Sequence, residues 1–198
     1  MSRPPDPDIT ETPIRSDRVY DGSFLKVRRD TVRLPNGREG TREYIVHPGA
    51  VVVVPLLDND RVVMVRQYRY PVQRVILEFP AGKLDAREAP LECARRELLE
   101  ETGYTAKEWT VAGRMHLAVG YSDEIIHICF ASGLTAGEPN PDEDEFLNVE
   151  IMPVDEVLDA CRSGAITDAK SLTCTLWLQN VRSGQWPLQS AGGAVTPP

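Results

Sequence analysis

The chain has 198 residues, a length that favours one domain with a sizeable core over a small scaffold stabilised by disulfides. Its 22 Lys and Arg and 30 Asp and Glu residues give a formal charge of −8, which disfavours nonspecific binding to nucleic acid or anionic membranes. The longest apolar run, residues 50–57, is too short to span a bilayer. We therefore expect a globular protein with neither nucleic acid nor a membrane as its partner.

The first 17 residues combine prolines and charges without an apolar stretch, so we predict a flexible arm over residues 1–17 rather than a secretion signal. The four cysteines are widely separated and form no CxxC pair: Cys93, Cys129, Cys161 and Cys174. This spacing indicates reduced thiols, neither a zinc site nor a disulfide framework, and it favours a cytoplasmic location.

Residues 18–47 are predicted to form an N-terminal β-segment. Phe24 to Leu34 alternates loosely between apolar and polar residues, and Pro35-Asn36-Gly37 is a strong turn signal before a second strand over residues 41–47. Three further strands are predicted over residues 50–57, 61–69 and 75–79, since these runs are rich in Val and separated by turn residues.

The hydrophobic period then changes to that of a helix. Leu91, Ala94 and Leu98 recur at helical spacing, and Gly103 stands where helices commonly end. Strands at residues 109–117, 125–131 and 146–151 follow, and then helices at residues 154–162 and 169–182. This order predicts a layered α/β domain over residues 48–182, followed by a flexible tail over residues 183–198.

The last turn of the first predicted helix is acidic. Glu97, Glu100 and Glu101 lie at i, i+3 and i+4, so they share one face and repel one another. Anions at a helix C-terminus also oppose the helix dipole. A solvated acidic face is the ordinary interpretation of such a helix, but clustering at the unfavourable end favours a divalent cation. Oxygen ligands without His or Cys point to magnesium or manganese.

Residues 82–104 resemble the Nudix box, which reads Gly, five residues, Glu, seven residues, then Arg-Glu-U-x-Glu-Glu-x-Gly-U, with U a bulky apolar residue. Nine positions match: Gly82, Glu88, Arg96, Glu97, Leu98, Glu100, Glu101, Gly103 and Tyr104. A pattern of this length with five charged positions is highly specific. The resemblance implies an α/β/α sandwich with a mixed sheet, and metal-dependent hydrolysis of a nucleoside diphosphate linked to another group.

The resemblance also implies roles for residues of the box. Glu97 and Glu101 are carried over as metal ligands together with the carbonyl of Ala81, and Glu100 is a catalytic candidate close to them. Arg96, Glu88 and Gly82 support these ligands: the first two pair to orient the carboxylates, and the glycine forms a turn that needs unusual backbone angles.

An acidic segment, Pro141-Asp142-Glu143-Asp144-Glu145, resembles a loop of the ADP-ribose and nucleoside-diphosphate-sugar branch of this family. The resemblance makes Glu143 the favoured general base and Glu145 a further metal ligand. Without the box, the same run would be interpreted as a solvated loop.

Two other segments resemble the same branch. Residues 66–71 match its Arg-Gln-aromatic-Arg strand, which makes Arg66 and Arg69 candidates for binding the substrate phosphates, since guanidinium matches phosphate oxygens. An exposed strand is the alternative interpretation, above all for Arg69. Glu78 precedes Phe79-Pro80-Ala81-Gly82 and is a candidate for contacting the base or ribose.

One segment departs from the branch, because Val119 stands where the turn of ADP-ribose enzymes has proline. ADP-ribose, cleaved to AMP and ribose 5-phosphate, remains the leading substrate. GDP-mannose, a dinucleoside polyphosphate or a dinucleotide are the alternative substrates, and a nucleotide-binding module without activity is the alternative class.

The branch forms homodimers in which an N-terminal β-segment reaches the partner subunit. The segment at residues 20–47 is strand-like, and an isolated hairpin is only marginally stable in water. We therefore predict a homodimer, with Phe24 stacking on the base and Arg28 facing the diphosphate of the neighbouring subunit's substrate. A hairpin folded on its own subunit, with solvated arginines, is the alternative.

Overall fold

The computed structural model describes residues 8–140 and 146–188, which form ten strands and three α-helices. The strands are β1 Thr12–Asp21, β2 Lys26–Arg33, β3 Glu39–Val46, β4 Ala50–Leu57, β5 Arg61–Arg69, β6 Arg74–Glu78, β7 Ala81–Lys83, β8 Tyr104–Met115, β9 Ile126–Ala136 and β10 Leu147–Pro153. The helices are α1 Pro90–Thr102, α2 Val154–Ser163 and α3 Ala169–Arg182. No helix in the described part of the chain is long and apolar enough to cross a membrane.

The chain divides into two compact units. The first unit consists of the N-terminal residues up to His47 and the segment Ala118–Glu124, which joins it through an isolated bridge between Ile45 and Ser122. Its sheet is an antiparallel meander in the order β1-β2-β3. The predicted turn at Pro35-Asn36-Gly37 connects β2 to β3, and Gly37 adopts a φ of +82° there.

The prediction of a flexible arm up to residue 17 is wrong for residues 12–17. They belong to β1, which pairs along its length with β2 from Thr12 opposite Arg33 to Asp21 opposite Lys26. Nearly every side chain of β1 is exposed. Backbone hydrogen bonds therefore define this strand, and the sequence contains no apolar alternation that would reveal it.

The second unit is built on a seven-stranded mixed sheet. Its main order is β10-β5-β4-β9-β8, with β6 paired to β5 and β7 paired to β4. The β4–β9 pair is parallel and the other pairs are antiparallel. The short strand β7 was not predicted from the sequence, and it carries the first residues of the box.

Helices cover both faces of this sheet, as strand β4 demonstrates. Val51 and Val53 pack with residues of α1 on one face, while Val52 and Val54 pack with residues of α2 and α3 on the other. All four valines are fully buried, as a central strand covered on two faces requires. The predicted α/β/α sandwich is thereby confirmed.

The predicted flexible tail is wrong for its first six residues. Two backbone amides after α3 donate to the Asn180 carbonyl, Trp186 packs edge-on against Trp177 with ring centroids 4.8 Å apart, and Leu188 packs against the core. Residues 189–198 lie outside the described residues.

Candidate active site

Helix α1 presents the acidic cluster. Pro90 occupies its first turn, and Gly103 ends it with a φ of +74° while donating its N–H to the Leu99 carbonyl. The apolar face of α1 is buried against the sheet, and the same geometry draws two carboxylates inward. Glu97 and Glu101 are only 8% and 3% exposed.

Arg96 lies at the centre of the cluster. Its guanidinium binds Glu88 through two hydrogen bonds, Nε to Oε1 at 2.9 Å and Nη2 to Oε2 at 2.8 Å, so the predicted pair is present. Its Nη1 donates to Glu97 Oε1 at 2.7 Å and to Glu100 Oε2 at 3.1 Å. Arg96 thus contacts three carboxylates. A fourth carboxylate belongs to Glu101, the residue after Glu100 in the helix.

The charges in this cluster alter the pKa values of its members. Hydrogen bonding to Arg96 lowers the pKa of Glu88 to about 2. The same bond, reinforced by the charge of Glu97, raises the pKa of Arg96 above its ordinary value. Burial raises the pKa of Cys93, and the charges of Glu88 and Glu97 raise it further, so this thiol is no nucleophile at neutral pH.

Strand β7 lies against the two buried carboxylates. The Ala81 N–H donates to Glu101 Oε2 at 3.2 Å. A Cβ atom at Gly82 would lie 1.8 Å from the Glu97 carboxylate. Gly82 was predicted to need unusual backbone angles, but its φ is not positive. The structure requires glycine there because the Glu97 carboxylate occupies the space of a side chain.

The described side chains alone do not form a complete set of metal ligands. Within residues 8–140 and 146–188, no three His, Cys, Asp or Glu side chains are close enough together to hold an ion. Arg96 draws Glu97 and Glu100 toward itself instead. The donor chemistry nevertheless fits a divalent cation: the cluster offers hard carboxylate oxygens, two of its carboxylates are buried, and negative charge exceeds positive charge.

The predicted general base Glu143 and ligand Glu145 lie outside the described residues. The chain leading to them is fixed to α1, because the Asn140 N–H donates to the Glu100 carbonyl at 3.0 Å. Gly103 permits this approach, since a Cβ there would meet the Gly137 carbonyl oxygen at 2.7 Å.

The three remaining predicted residues of this unit lie on β5 and β6. Arg66 is exposed and pairs across the sheet with Glu150. Arg69 forms two hydrogen bonds to Glu78, Nε to Oε1 at 2.8 Å and Nη2 to Oε2 at 2.9 Å. Glu78 is 2% exposed, so the prediction that it contacts a base or ribose directly does not agree with its position.

Sequence reasoning missed the partner that buries Glu78. The Lys170 ammonium contacts the Glu78 carboxylate and also binds Asp168 Oδ2 at 3.0 Å. Lys170 is itself buried. One signal was available: Lys170 stands in the first turn of the predicted helix, where a cation opposes the helix dipole.

The N-terminal unit contains the two residues predicted to reach a neighbouring subunit's substrate. Phe24 is 53% exposed and packs edge-on against His47, with centroids 6.0 Å apart. The Nε atom of Arg28 is buried and has no hydrogen-bond partner within the described ranges. Val119, at the departure from the branch, is 80% exposed in the segment that belongs to this unit.

Comparison with protein families gives two matches that together cover most of the chain. A model described as NUDIX domain matches residues 46–173, and a model described as nucleoside diphosphate sugar hydrolase N-terminal domain matches residues 11–45. The boundary between the two models falls two residues before the end of the N-terminal stretch of the first structural unit.

Similar proteins span nearly the whole fold. A Bacillus subtilis protein named ADP-ribose pyrophosphatase is 38% identical over 173 residues, covering 86% of this chain and 94% of that protein. A Bacillus methanolicus protein named methanol dehydrogenase activator is 39% identical and covers 85% of this chain and 92% of its own. A crystal structure of an ADP compounds hydrolase superposes with a TM-score of 0.79 at 25% identity, covering 88% and 95%.

Proposed function

The chain belongs to the Nudix family of hydrolases, and we propose that it hydrolyses the diphosphate bond of ADP-ribose to give AMP and ribose 5-phosphate, with magnesium as its metal. The observation that carries this proposal is the excess of carboxylates over cations at the end of α1. Such an excess attracts the divalent cation that a reaction between water and an anionic phosphate needs.

Glu97 and Glu101, with the Ala81 carbonyl, are the residues that would hold the cation, and Glu145 would complete the set. When bound, the metal supplies charge neutralisation for the phosphate oxygens and a position for the attacking water. Arg96 and Glu88 keep the carboxylates oriented, because their two hydrogen bonds fix the guanidinium between the helix and the loop before it. Manganese satisfies the same donors.

Glu143 is the proposed general base, which takes the proton from the attacking water. Only two residues separate it in sequence from Asn140, which is hydrogen-bonded to the end of α1. An extended chain spans about 3.3–3.6 Å per residue, so this connection is short enough for the carboxylate to reach the acidic cluster. Glu100 contacts Arg96 within the cluster and is the alternative base.

Arg66 and Arg69 supply positive charge on β5 for the substrate phosphates. Arg66 would exchange its surface pairing with Glu150 for the phosphate, at little cost because exposed ion pairs contribute about 0–1 kcal/mol. Arg69 can bind phosphate while it remains attached to Glu78, since that contact uses only its Nε and Nη2 atoms.

A substrate panel tests the proposed activity. ADP-ribose, GDP-mannose, a diadenosine polyphosphate and NADH are each incubated with the protein and magnesium, and release of nucleoside monophosphate is measured. The proposal predicts the highest kcat/KM for ADP-ribose. Highest activity on another compound would contradict the substrate, and binding of ADP-ribose without turnover of any compound would indicate a nucleotide-binding module.

We also infer a homodimer formed through the N-terminal unit, in a cytoplasmic protein whose described cysteines are all free thiols. Eight large apolar side chains in the described part of this unit are exposed: Ile9, Ile14, Val19, Tyr20, Phe24, Leu25, Val119 and Tyr121. Exposed apolar surface of this extent favours a partner, and a second copy supplies one by two-fold symmetry.

Sedimentation of the full chain at micromolar concentration tests the assembly, and a dimer is expected. Deleting residues 1–47 should give a monomer with a raised KM, while Phe24→Ala should raise KM with the dimer intact. A full-length monomer, or a truncated monomer with wild-type activity, would contradict the inference.

A further inference from the structure

A buried ion network joins α3 to the strands that precede the box. Glu78 accepts two hydrogen bonds from Arg69 and contacts Lys170, whose ammonium also binds Asp168. Asp168 in turn caps α3 by accepting the Ser171 N–H at 2.9 Å. Two carboxylates and two cations thus form one balanced chain of contacts that runs from the start of α3 to the exposed guanidinium of Arg69.

Lys170 lies where its charge is locally unfavourable. Its side chain is 8% exposed, and burying an ammonium group costs several kcal/mol unless good partners surround it. The N-terminal turn of a helix is also the end that disfavours a cation. Lys170 is thus unfavourable in two ways, by its burial and by its place at the helix N-terminus. We attribute its presence to its contact with Glu78.

Glu78 transmits this constraint to Arg69. The two hydrogen bonds between them fix the plane of the guanidinium, since a fork of two donors facing two acceptors permits one orientation. The side chain of Arg69 is 44% exposed, so its outer edge is accessible to a ligand. The hydrogen bond to Glu78 raises the pKa of Arg69, so the guanidinium remains charged.

The same turn of α3 also holds the chain that enters the box. The Phe79 N–H donates to Ser171 Oγ at 2.9 Å, and the Pro80 carbonyl accepts the Val53 N–H at 2.8 Å. The next residue, Ala81, is the one whose N–H contacts Glu101. Helix α3 therefore holds adjacent residues 78 and 79 on the way to the acidic cluster.

We propose that Lys170 and Glu78 are positioning residues, which hold the Arg69 guanidinium in the orientation that binds a substrate phosphate. The inference rests on the proposed function only for the identity of that ligand. Neither residue touches the substrate, and each acts through Arg69.

Three variants test the proposal: Lys170→Met, Lys170→Arg and the double variant Glu78→Gln with Lys170→Gln. The first should raise KM for ADP-ribose about tenfold or more, as loss of one charge-assisted hydrogen bond predicts, with a smaller change in kcat. Lys170→Arg should restore KM to within about twofold of wild type, because a guanidinium can also hold Glu78.

The double variant separates positioning from stability. It removes both of the fully buried charges together, so its Tm should recover relative to Lys170→Met even where that single variant fails to fold. Its KM should stay raised, because a glutamine amide has one acceptor oxygen and cannot receive the paired hydrogen bonds that Arg69 donates to the two oxygens of Glu78. Recovery of KM together with Tm would overturn the proposal.

A spectroscopic readout makes the test independent of the substrate. The Arg69 Nε–H resonance, assigned by its loss in Arg69→Lys, should be protected from solvent exchange in the wild type and unprotected in the double variant. Arg182→Met is the matched control, since it removes an exposed cation from the same helix and should change neither KM nor the resonance. Absence of ADP-ribose hydrolysis in the wild type would contradict the proposed function alone, whereas an unchanged Arg69 resonance in the double variant would overturn the positioning role.

Discussion

Two helix ends in this protein carry charge of the unfavourable sign, and they resolve it differently. The C-terminal end of α1 carries Glu97, Glu100 and Glu101, while the N-terminal end of α3 carries Lys170. At α3 the contacts are balanced, because Lys170 meets two carboxylates, one of which also binds Arg69. At α1 one guanidinium meets three carboxylates. The balanced end is a structural support, and the unbalanced end is suited to a cation from solution.

The largest effect is expected where charge is unbalanced. Glu97→Gln and Glu101→Gln should each reduce kcat/KM about a thousandfold or more, because a bound metal contributes several kcal/mol to the transition state. Stability without metal should change by no more than about 1 kcal/mol, since removing one charge relieves repulsion. Glu92→Gln, on the exposed first turn of α1, is the control for both measurements. Wild-type turnover in either variant at saturating magnesium would contradict the ligand assignment.

At the balanced end of α3, substitution should cause a large loss of stability. Lys170→Met should lower the free energy of unfolding by about 3–5 kcal/mol, because it leaves the Glu78 carboxylate with one cation in a buried site. Urea denaturation measures the loss, and Arg182→Met should cost much less because its ion pairs are exposed. Equal losses in the free energy of unfolding would show that the buried network contributes no more to stability than an exposed ion pair.

Loss of the general base should affect turnover and leave metal binding intact. Glu143→Gln should reduce kcat about a hundredfold, the lower range for loss of a base, with little change in metal affinity. Glu100→Gln is the comparison, because Glu100 contacts Arg96 and is the alternative base. Full activity of Glu143→Gln together with an inactive Glu100→Gln would place the base on α1.

A smaller effect is expected from the pair that supports the unbalanced end. The folded-state pKa of Glu88 is about 2, lower than its ordinary value of 4.5, so its stabilising contribution is complete at pH above about 4.5. Glu88→Gln should lower the free energy of unfolding at pH 7 by about 1–3 kcal/mol. The difference from wild type should shrink as the pH falls from 4.5 toward 2. A difference that is constant over this range would contradict the pairing with Arg96.

The sequence predicted the elements whose burial follows a regular period. Strand β4 and helix α1 were placed closely, since a continuous apolar run and a helical repeat are signals of packing. Residues 12–17 of β1 were missed because the side chains of this strand are exposed on both faces and its stability comes from pairing with β2. The hydrophobic pattern of a strand does not indicate which other strand pairs with it.

The same distinction applies to the site. The Glu88–Arg96 pair was predicted because both residues belong to one continuous motif. The role of Glu78 was misjudged because its partner Lys170 is 92 residues away in sequence, and burial of a charged pair leaves no linear pattern. Gly82 was predicted to need an unusual φ, whereas the neighbouring carboxylate requires its lack of a side chain.

The most direct test of the comparison is thermal unfolding of the wild type and of Glu97→Gln with increasing magnesium. A ligand that binds only the folded state raises stability by RT ln(1 + [L]/Kd), so Tm should rise with magnesium concentration in the wild type. In Glu97→Gln the rise should be absent or shifted to much higher concentration. An equal rise in Tm in both proteins would show that magnesium binds elsewhere and that the acidic end of α1 is not the metal site.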